Sequence, residues 1–320
     1  MSDATGNMLH VMAGVLCDTR GNVLLAQRPA GKHLAGFWEF PGGKLEPGEA
    51  PLPALARELH EELGIHVEPK DGAPLIRIPW HYGERGLLLD AWRFTRWRGT
   101  LAPLEGQALQ WQLPGDVDLA TLAPADRPIL QALRLPPTYA ITPADAAPDQ
   151  AEAWRQRIAQ AIERGIGLIQ LRLPRWSIEQ VRHLAERLQP LAVSHQANLL
   201  LNRDIGGARQ LGAGIGVHMA AAQLDKLQER PLPWSQLIGA SCHDAAQLSV
   251  SVHLADFATL SPVARTASHP DTPALGWPQF QMLAEASALP VYALGGMAPA
   301  QADEARKHGA QGVAGIRSFW

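Results

Sequence analysis

Short apolar segments alternate with amphipathic stretches throughout the second half of the chain. The eight apolar segments are residues 139–142, 168–171, 198–201, 216–218, 237–240, 257–260, 291–294 and 312–316. Stretches of helical periodicity separate them, as at residues 149–165 and 177–188. Because strands that alternate with helices form parallel sheets, this order predicts a compact TIM-type (β/α)8 barrel. Its eighth helix is expected to be missing or reduced to a turn.

The first half has a different order, in which strands, a helix, further strands and a second helix follow one another. Apolar, β-prone residues occupy positions 9–17 and 23–27, and the polar turn between them predicts a β-hairpin. Further strands are predicted at residues 76–80, 87–94 and 108–112, and a short helix at residues 124–134. The first half is therefore predicted to be an α/β domain.

Two prolines, Pro136 and Pro137, separate the two patterns. Proline disfavours a helix at the preceding residue and favours an extended connection. A chain of 320 residues is also long enough for two domains. We therefore expect one domain at residues 1–135 and a second at residues 139–320.

A helix with an uneven charge distribution is predicted at residues 50–63. Prolines fall in its first turn, where they are tolerated, and Gly64 stands where a glycine commonly ends a helix. An apolar stripe follows the helical spacing: Leu52, Leu55, Ala56, Leu59 and Leu63. Glu58, Glu61 and Glu62 lie at spacings i, i+3 and i+4, so their carboxylates converge on one face.

Like charges at these helical spacings repel one another, and a bound divalent cation would reverse that cost. Carboxylate oxygens suit Mg²⁺, which usually also keeps waters and binds substrate phosphates. Taken alone, the pattern is more typical of an amphipathic helix with a solvated acidic face. The residues on either side of the helix favour the metal site.

Those flanking residues resemble the signature of the Nudix family. The matching positions are Gly43, Glu49, Arg57-Glu58-Leu59, Glu61-Glu62 and Gly64-Ile65. Over about residues 9–135 the resemblance is to the MutT-type members, through residues 38–44, 105–107 and 125–128. It implies a Nudix α/β/α sandwich and a hydrolase that depends on Mg²⁺, with Mn²⁺ as a possible substitute.

The resemblance also implies roles for individual residues. The metal ligands would be Glu58, Glu61, Glu62, Glu105 and the Gly43 carbonyl, and the catalytic residues would be Glu58, Glu61 and Glu105. Five residues would contact substrate: Arg28, His33, Phe40, Arg85 and Asp126. Arg28 would bind phosphate, Phe40 would lie near the base, and Asp126 falls where MutT-type members have a base-reading asparagine.

Each of these residues also has a plainer interpretation. Arg28 could be a surface arginine, and Glu105 a solvated loop carboxylate. Asp126 could cap the helix that follows it. Phe40 could pack in the core, and Arg57 is expected to pair with a carboxylate of the signature and orient it.

The implied reaction converts a nucleoside triphosphate to a monophosphate and pyrophosphate, and a carboxylate activates a metal-bound water. The leading substrate is 8-oxo-dGTP, whose removal would keep an oxidised nucleotide out of DNA and avoid mutation. Another nucleoside diphosphate derivative, or a thiamine-pathway pyrophosphate, is the alternative within the same class. A non-enzymatic nucleotide or thiazole-phosphate sensor is the alternative from another class.

The second half resembles the thiamine phosphate synthase/TenI family over about residues 139–320. The matching segments are residues 139–142, 169–172, 201–202, 216–218, 239–243, 261–263 and 294–296. The resemblance implies a phosphate site built from the backbone of Gly295, Gly296 and Gly315. Three segments depart from the synthase, namely Leu173-Pro174, Asn202-Arg203 and residues 220–223.

These departures remove two carboxylates that would bind metal in the synthase, so synthase activity is not expected. A tautomerase, a phosphate-ligand sensor and a retained structural barrel stay open, and the structural barrel is favoured. His218, His243 and His269 could serve catalysis, although each is more typical of a histidine with local hydrogen bonds.

The composition of the chain restricts the class of protein, its partners and its compartment. Hydrophobic residues make up 46% of the chain and charged residues 18%, which is typical of a globular protein. A net charge of −3 gives no reason to expect a nucleic acid duplex as partner. The apolar run near the N-terminus is too short to span a membrane. Cys17 and Cys242 form no ligand-spaced cluster, so a reducing cytoplasm is expected. The sequence favours no particular oligomeric state.

Overall fold

The computed structural model of the chain describes residues 8–265 and 273–320. The chain divides into two compact units, Met1–Arg134 and Leu135–Trp320. The candidate histidine His269 lies outside the described residues. Within the described ranges, no helix is both long enough and apolar enough to cross a membrane.

The first unit combines short sheets with two helices in its described part. Its strands are β1 (Leu9–Leu16), β2 (Val23–Gln27), β3 (Trp38–Glu39), β4 (Ala73–Tyr82), β5 (Arg85–Phe94) and β6 (Leu109–Gln112). Its helices are α1 (Pro51–Leu63) and α2 (Arg127–Arg134). The strands form sheets ordered β1-β5-β4 and β3-β2-β6, in which only the β1–β5 pair is parallel. The predicted α/β class of this unit is confirmed.

The predicted hairpin between β1 and β2 is wrong. The two strands lie in different sheets and share only an isolated bridge, between Cys17 and Val23. The free edge of β1 is taken by the segment at residues 41–45. Met12 N donates to Gly43 O at 2.8 Å, and Gly14 N donates to Pro41 O at 2.7 Å. Because that edge is already paired, β2 joins β3 and β6 instead.

Helix α1 follows its sequence pattern closely. Its first residue is Pro51, and Gly64 ends it in the left-handed conformation, at φ 70°, with its N–H bonded to His60 O. The residues that it buries are Ala54, Leu55, Leu59 and Leu63. Burying a leucine fully contributes about 1.5–3 kcal/mol, so this stripe fixes which face of α1 meets the core. The acidic positions are left at the edge of the stripe.

Strand β4 is longer than the predicted strand at residues 76–80. It is the last strand of its sheet, it carries Pro74 and Pro79, and its register shifts between Pro74 and Ile76. Proline has no amide donor, and it is confined within sheets to edges, strand starts and bulges. The two prolines therefore hid the length of this strand from its sequence pattern.

The second unit is the predicted barrel. Its strands are β7 (Thr138–Ile141), β8 (Leu168–Leu171), β9 (Asn198–Asn202), β10 (Ile215–Met219), β11 (Ile238–Cys242), β12 (Phe257–Leu260), β13 (Val291–Leu294) and β14 (Gly312–Gly315). Its helices are α3 (Ala151–Glu163), α4 (Ile178–Ser194), α5 (Ile205–Leu211), α6 (Ala221–Leu224), α7 (Ala245–Ser251), α8 (Gly276–Glu285) and α9 (Ala302–Lys307).

Among the described residues, these eight parallel strands close into a barrel, with β14 paired to β7. The TIM-type architecture is thus confirmed. After β14 the described chain forms a 3-10 turn at Arg317–Phe319.

Aromatic rings fill the barrel interior. Tyr139, Phe257 and Tyr292 pack with ring centroids 5.4–5.7 Å apart. His218 is buried beside them, with Nδ1 3.0 Å from Tyr139 Oη and Nε2 2.9 Å from Ser241 Oγ. Burial lowers the pKa of His218 to about 3, so the ring is neutral. The local hydrogen bonds expected of this histidine are present.

Candidate functional site

Arg57 binds three carboxylates on and beside α1. Its Nε and Nη2 donate to the two carboxylate oxygens of Glu49 at 3.1 and 3.0 Å. Its Nη1 donates to Glu58 Oε1 at 2.9 Å and to Glu61 Oε2 at 3.2 Å. This confirms the expectation that Arg57 pairs with carboxylates of the signature. The bidentate contact with Glu49 holds the guanidinium in place, and the guanidinium holds the other two acids.

Glu58 lies against the backbone of Gly43. A Cβ added at Gly43 would stand closer than 3.0 Å to both carboxylate oxygens of Glu58, so a side chain at this position would displace the acid. Gly42 has φ +147°, and a Cβ there would collide with Met12 O. The Gly43 carbonyl accepts a hydrogen bond from Met12 N, which leaves its second lone pair for another partner.

Glu62 turns towards the glycines rather than towards Arg57. Gly42 N donates to its Oε2 at 3.1 Å. Burial is the main cause that raises the pKa of Glu62 to about 7; the nearby charges of Glu105, Glu39 and Glu58 contribute to the rise, and the Gly42 hydrogen bond opposes it. Three other carboxylates therefore lie within electrostatic reach of Glu62. We call Glu39, Glu58, Glu62 and Glu105 the carboxylate cluster.

Glu105 reaches this cluster from the loop before β6. Gln107 ties the loop to α1, because its Nε2 donates to Glu62 O at 3.0 Å and its Oε1 accepts from Glu105 N at 3.0 Å. The Glu105 carboxylate accepts from Lys32 Nζ at 2.9 Å. The charge of Glu105 acts on the Glu62 carboxylate, so the two acids lie near each other. Lys32 and Gln107 were not among the residues predicted from the sequence.

Arg28 and Glu39 form an ion pair at the other side of the cluster. Arg28 also donates from Nε to His33 O at 2.6 Å, so its guanidinium braces the loop that follows β2. Burial raises the pKa of Glu39, and the charge of Arg28 opposes that shift. Glu39 was missed as a site residue, although it stands in β3 between the aromatic residues of the matching motif.

Asp126 is buried beneath this pair. Its Oδ1 accepts from Phe40 N at 2.9 Å, so it ties the end of β3 to the start of α2 rather than capping that helix. Burial raises the pKa of Asp126 to about 8, and the charge of Glu39 adds to the rise. The Phe40 side chain is only 4% exposed, which agrees with its plainer interpretation as a core residue.

The remaining predicted substrate residues lie around Tyr82, another residue that sequence reasoning missed. The His33 ring meets the Tyr82 ring edge-on with centroids 5.3 Å apart. Tyr82 Oη accepts from Ala125 N at 3.2 Å, beside Asp126. Arg85 is exposed, and its register partner across the β4–β5 turn is Tyr82. His33, Arg85 and Asp126 are thus grouped through one tyrosine.

The donor set suits a hard divalent cation, since it consists of carboxylates and one backbone carbonyl. In the described residues, no three His, Cys, Asp or Glu side chains meet closely enough to enclose an ion. The reason is visible in the contacts: Arg57 holds Glu58 and Glu61, while Glu62 is bonded to Gly42.

A cleft elsewhere in the first unit contains none of the predicted site residues. Its volume is ≈ 670 Å³, and it is lined by Asp18, Thr19, His66, Glu68, Asp71, Thr95, Arg96, Trp97 and Arg98. Arg96 is paired with Asp71, and Arg98 with Glu68. These two pairs balance four of the charges that line the cleft, and Asp18 adds one further negative charge.

In the barrel, the predicted phosphate glycines lie at strand ends. Gly295 and Gly296 follow β13 with φ +102° and +71°. A Cβ at Gly295 would stand 2.9 Å from Pro262 Cα, and one at Gly315 would stand 2.7 Å from the Phe319 ring. Close packing therefore accounts for these glycines as well as phosphate binding does. His243 Nδ1 lies 2.9 Å from Ser261 O, which is a local contact.

The comparisons with known proteins match the two units separately. A family profile described as NUDIX domain matches residues 12–132, and one described as thiamine monophosphate synthase matches residues 138–319. The chain is 45% identical to an 8-oxo-dGTP diphosphatase of Proteus vulgaris over 98 residues, 31% of this chain and 86% of the relative.

Two further relatives show the same division. The chain is 44% identical to a CTP pyrophosphohydrolase of Escherichia coli (strain K12) over 125 residues, 39% of this chain and 90% of the relative. It is 38% identical to a thiamine-phosphate synthase of Laribacter hongkongensis (strain HLHK9) over 161 residues, 50% of this chain and 76% of the relative.

Substitution of Gly43 tests the position of Glu58. We expect Gly43→Ala to weaken Mn²⁺ binding by about 10- to 100-fold, because displacing a group that orients a ligand has that typical cost. Isothermal titration calorimetry on the whole chain would measure the change, with circular dichroism to verify the fold. Gly115→Ala is the matched control, since a Cβ at Gly115 meets nothing within 4 Å. Equal Mn²⁺ affinity in the two variants would contradict a role for the Gly43 backbone in placing Glu58.

Proposed function

The chain belongs to the Nudix family over residues 12–132 and to the thiamine monophosphate synthase family over residues 138–319, and on this premise we propose a specific activity. The first unit hydrolyses 8-oxo-dGTP to 8-oxo-dGMP and pyrophosphate with Mg²⁺, and thereby removes an oxidised nucleotide before replication. The coarser expectation, a hydrolase acting on phosphoric anhydrides, is confirmed by the family match and by the diphosphatase relatives.

The carboxylate cluster carries this proposal. The charges of Glu105, Glu39 and Glu58 raise the pKa of Glu62, and Glu58 lies against a glycine backbone, so these acids are costly to hold together without a counter-charge. Glu58, Glu61, Glu62, Glu105 and the Gly43 carbonyl would hold Mg²⁺. Bound there, the ion would neutralise phosphate charge and acidify a coordinated water. Glu58 and Glu61 would fix the ion against α1, and Glu105 would accept the proton of the attacking water.

The substrate side is supported by Arg28 and Asp126. Arg28 would exchange part of its contact with Glu39 for a phosphate oxygen, because a guanidinium can serve two anions. Asp126 has one oxygen committed to Phe40 N, and its second oxygen is the one that can face a base. With a pKa of about 8 this carboxyl is protonated at neutral pH, so it can donate to a purine carbonyl.

A pyrimidine nucleotide is the second candidate substrate. The CTP pyrophosphohydrolase relative is nearly as similar as the 8-oxo-dGTP diphosphatase relative, at 44% against 45% identity. An ionised Asp126 would accept from the amino group of cytosine, whereas the protonated form favours a carbonyl. We therefore expect the preference between the two nucleotides to depend on whether Asp126 is protonated.

A nucleotide panel tests the proposed substrate. We expect the whole chain with Mg²⁺ to show a higher kcat/KM for 8-oxo-dGTP than for dGTP or CTP, with monophosphate and pyrophosphate as products. Glu61→Gln should lower kcat by at least about 100-fold, because it removes a charged ligand of the ion. Nucleotide binding without turnover by the wild-type chain would favour a nucleotide sensor, and retained turnover in Glu61→Gln would contradict the role of Glu61. Equal activity on 8-oxo-dGTP and dGTP would rule out the sanitation role.

The pH dependence of selectivity tests Asp126. Its raised pKa means that it is neutral below about 8 and ionises as the pH rises through that value. We therefore expect the preference for 8-oxo-dGTP over CTP to fall between pH 7 and pH 9, since the donor is lost. Asp126→Asn keeps a donor at every pH and should flatten this profile. Kinetics on both nucleotides across that range would measure it, and identical profiles in the two proteins would refute the role.

For the second unit we propose a barrel retained for structure. We also propose that residues 1–135 and 139–320 are the two domains of the chain. His218 is buried and neutral, and packing accounts for Gly295 and Gly315. Leu173, at one departure from the synthase, is buried in the barrel's hydrophobic core. These observations support a structural role for the barrel.

Calorimetry tests the structural barrel. We expect neither thiazole phosphate nor thiamine phosphate to bind the whole chain, because the candidate phosphate glycines are in close contact with protein atoms. Running the titrations on Gly43→Ala as well separates any binding at the carboxylate cluster from binding in the barrel. Saturable binding of either ligand to both proteins would overturn the structural role and favour a sensor or a tautomerase.

A further inference from the structure

The loop between β2 and β3 carries a cation to the carboxylate cluster. Arg28 N donates to Phe37 O at 2.9 Å and Gly36 N donates to Arg28 O at 3.0 Å, so the two ends of the loop are fastened together. Lys32 lies between these ends, and its ammonium group is 2.9 Å from Glu105 Oε2. The two residues are 73 positions apart in sequence, so this contact joins two separate loops.

The three cations around the cluster are held very differently. Arg57 is fixed by two bonds to Glu49 and a third to the Lys44 carbonyl. Arg28 is mostly buried and is bonded to both Glu39 and His33 O. The Lys32 side chain is 53% exposed and that of Glu105 is 44% exposed. An exposed ion pair is worth little, so Lys32 is the cation that can leave its partner most easily.

We propose that Lys32 is a positioning residue that exchanges partners during substrate binding. Without nucleotide it pairs with Glu105 and offsets the charge of the cluster. With nucleotide it moves to the terminal phosphates, which releases the Glu105 carboxylate for the ion and the attacking water. This inference rests on the proposed function, since it requires a phosphorylated substrate at the cluster.

The chemistry of lysine fits this exchange. Its ammonium group is a compact point charge with three donors on a flexible stem, so it binds carboxylate or phosphate without a fixed geometry. Its ammonium also lies within electrostatic reach of Glu39 and Glu62, so it remains attracted to the cluster in either state. No bond is made or broken in the exchange, which only trades one ion pair for another.

Removing the charge of Lys32 should have opposite effects on two kinds of ligand. Free Mn²⁺ competes with Lys32 for Glu105, so the cation should bind more tightly when the ammonium is absent. Nucleotide loses a phosphate contact, so its KM should rise. If Lys32 merely supported the loop, its replacement would weaken the binding of both ligands together or change the binding of neither.

The experiment compares Lys32→Gln, Lys32→Arg and the control Lys70→Gln, at an exposed lysine on the Pro69–Asp71 turn. Mn²⁺ affinity is measured by calorimetry without nucleotide, and KM and kcat are measured on the best substrate of the panel. For Lys32→Gln we expect a Mn²⁺ Kd lower by about two- to five-fold and a KM higher by about ten-fold, with a smaller change in kcat. Lys32→Arg should restore KM to within about three-fold of wild type, because it keeps the charge. Lys70→Gln should match wild type in both measurements.

Two results would overturn the exchange. One is a Lys32→Gln protein whose Mn²⁺ Kd and KM both match the control. The other is a Lys32→Gln protein that binds both Mn²⁺ and nucleotide more weakly and has a lower melting temperature, which would indicate a structural role. If the wild-type chain turns over no nucleotide, the proposed function fails instead. An unchanged Mn²⁺ Kd in Lys32→Gln would then also reject the proposed pairing of Lys32 with Glu105 in the absence of nucleotide.

Discussion

The carboxylate cluster depends on backbone placed where no side chain fits. Residues 41–45 run along the free edge of β1, and two hydrogen bonds from that strand hold Gly43 and Pro41 in position. Gly43 can then approach Glu58 on α1 more closely than a Cβ would permit. Helix α1 supplies Glu58 and Glu62 of the cluster, and residues 41–45 supply the backbone against which Glu58 lies. Packing of the α1 leucines on the core fixes the distance between the two, so the core of the unit also sets the geometry of its site.

Local periodicity explains which parts of the fold were predictable. The α1 helix and the eight barrel strands found in the described residues each carry their own repeating pattern of apolar positions, and both were predicted from it. The β1–β2 hairpin was predicted wrongly, because its evidence was local and the competing partner of β1 lies more than twenty residues further along the chain. No pattern within β1 shows that its edge is reserved for residues 41–45.

The site residues also fall into those that the sequence pattern predicts and those that it does not. Glu58, Glu61 and Glu62 follow from helical spacing, and Arg57 from its place beside them. Lys32, Gln107 and Tyr82 act through contacts between residues far apart in the chain, and such contacts leave no periodic signal. The pKa of Asp126 is equally hidden, since it arises from complete burial beside Glu39. The sequence thus indicates which acids form the site, while the tertiary fold determines the pKa of a buried acid such as Asp126.

The outer border of the β1-β5-β4 sheet has a consequence for the behaviour of the chain in concentrated solution. Strand β4 carries Pro74 and Pro79 and a shift in register, so its rim offers an interrupted row of amide donors. An unbroken rim can recruit the strand of a neighbouring molecule and begin cross-chain β-aggregation. The interrupted rim of β4 makes such recruitment unfavourable, and this guards the first unit against self-association along that side.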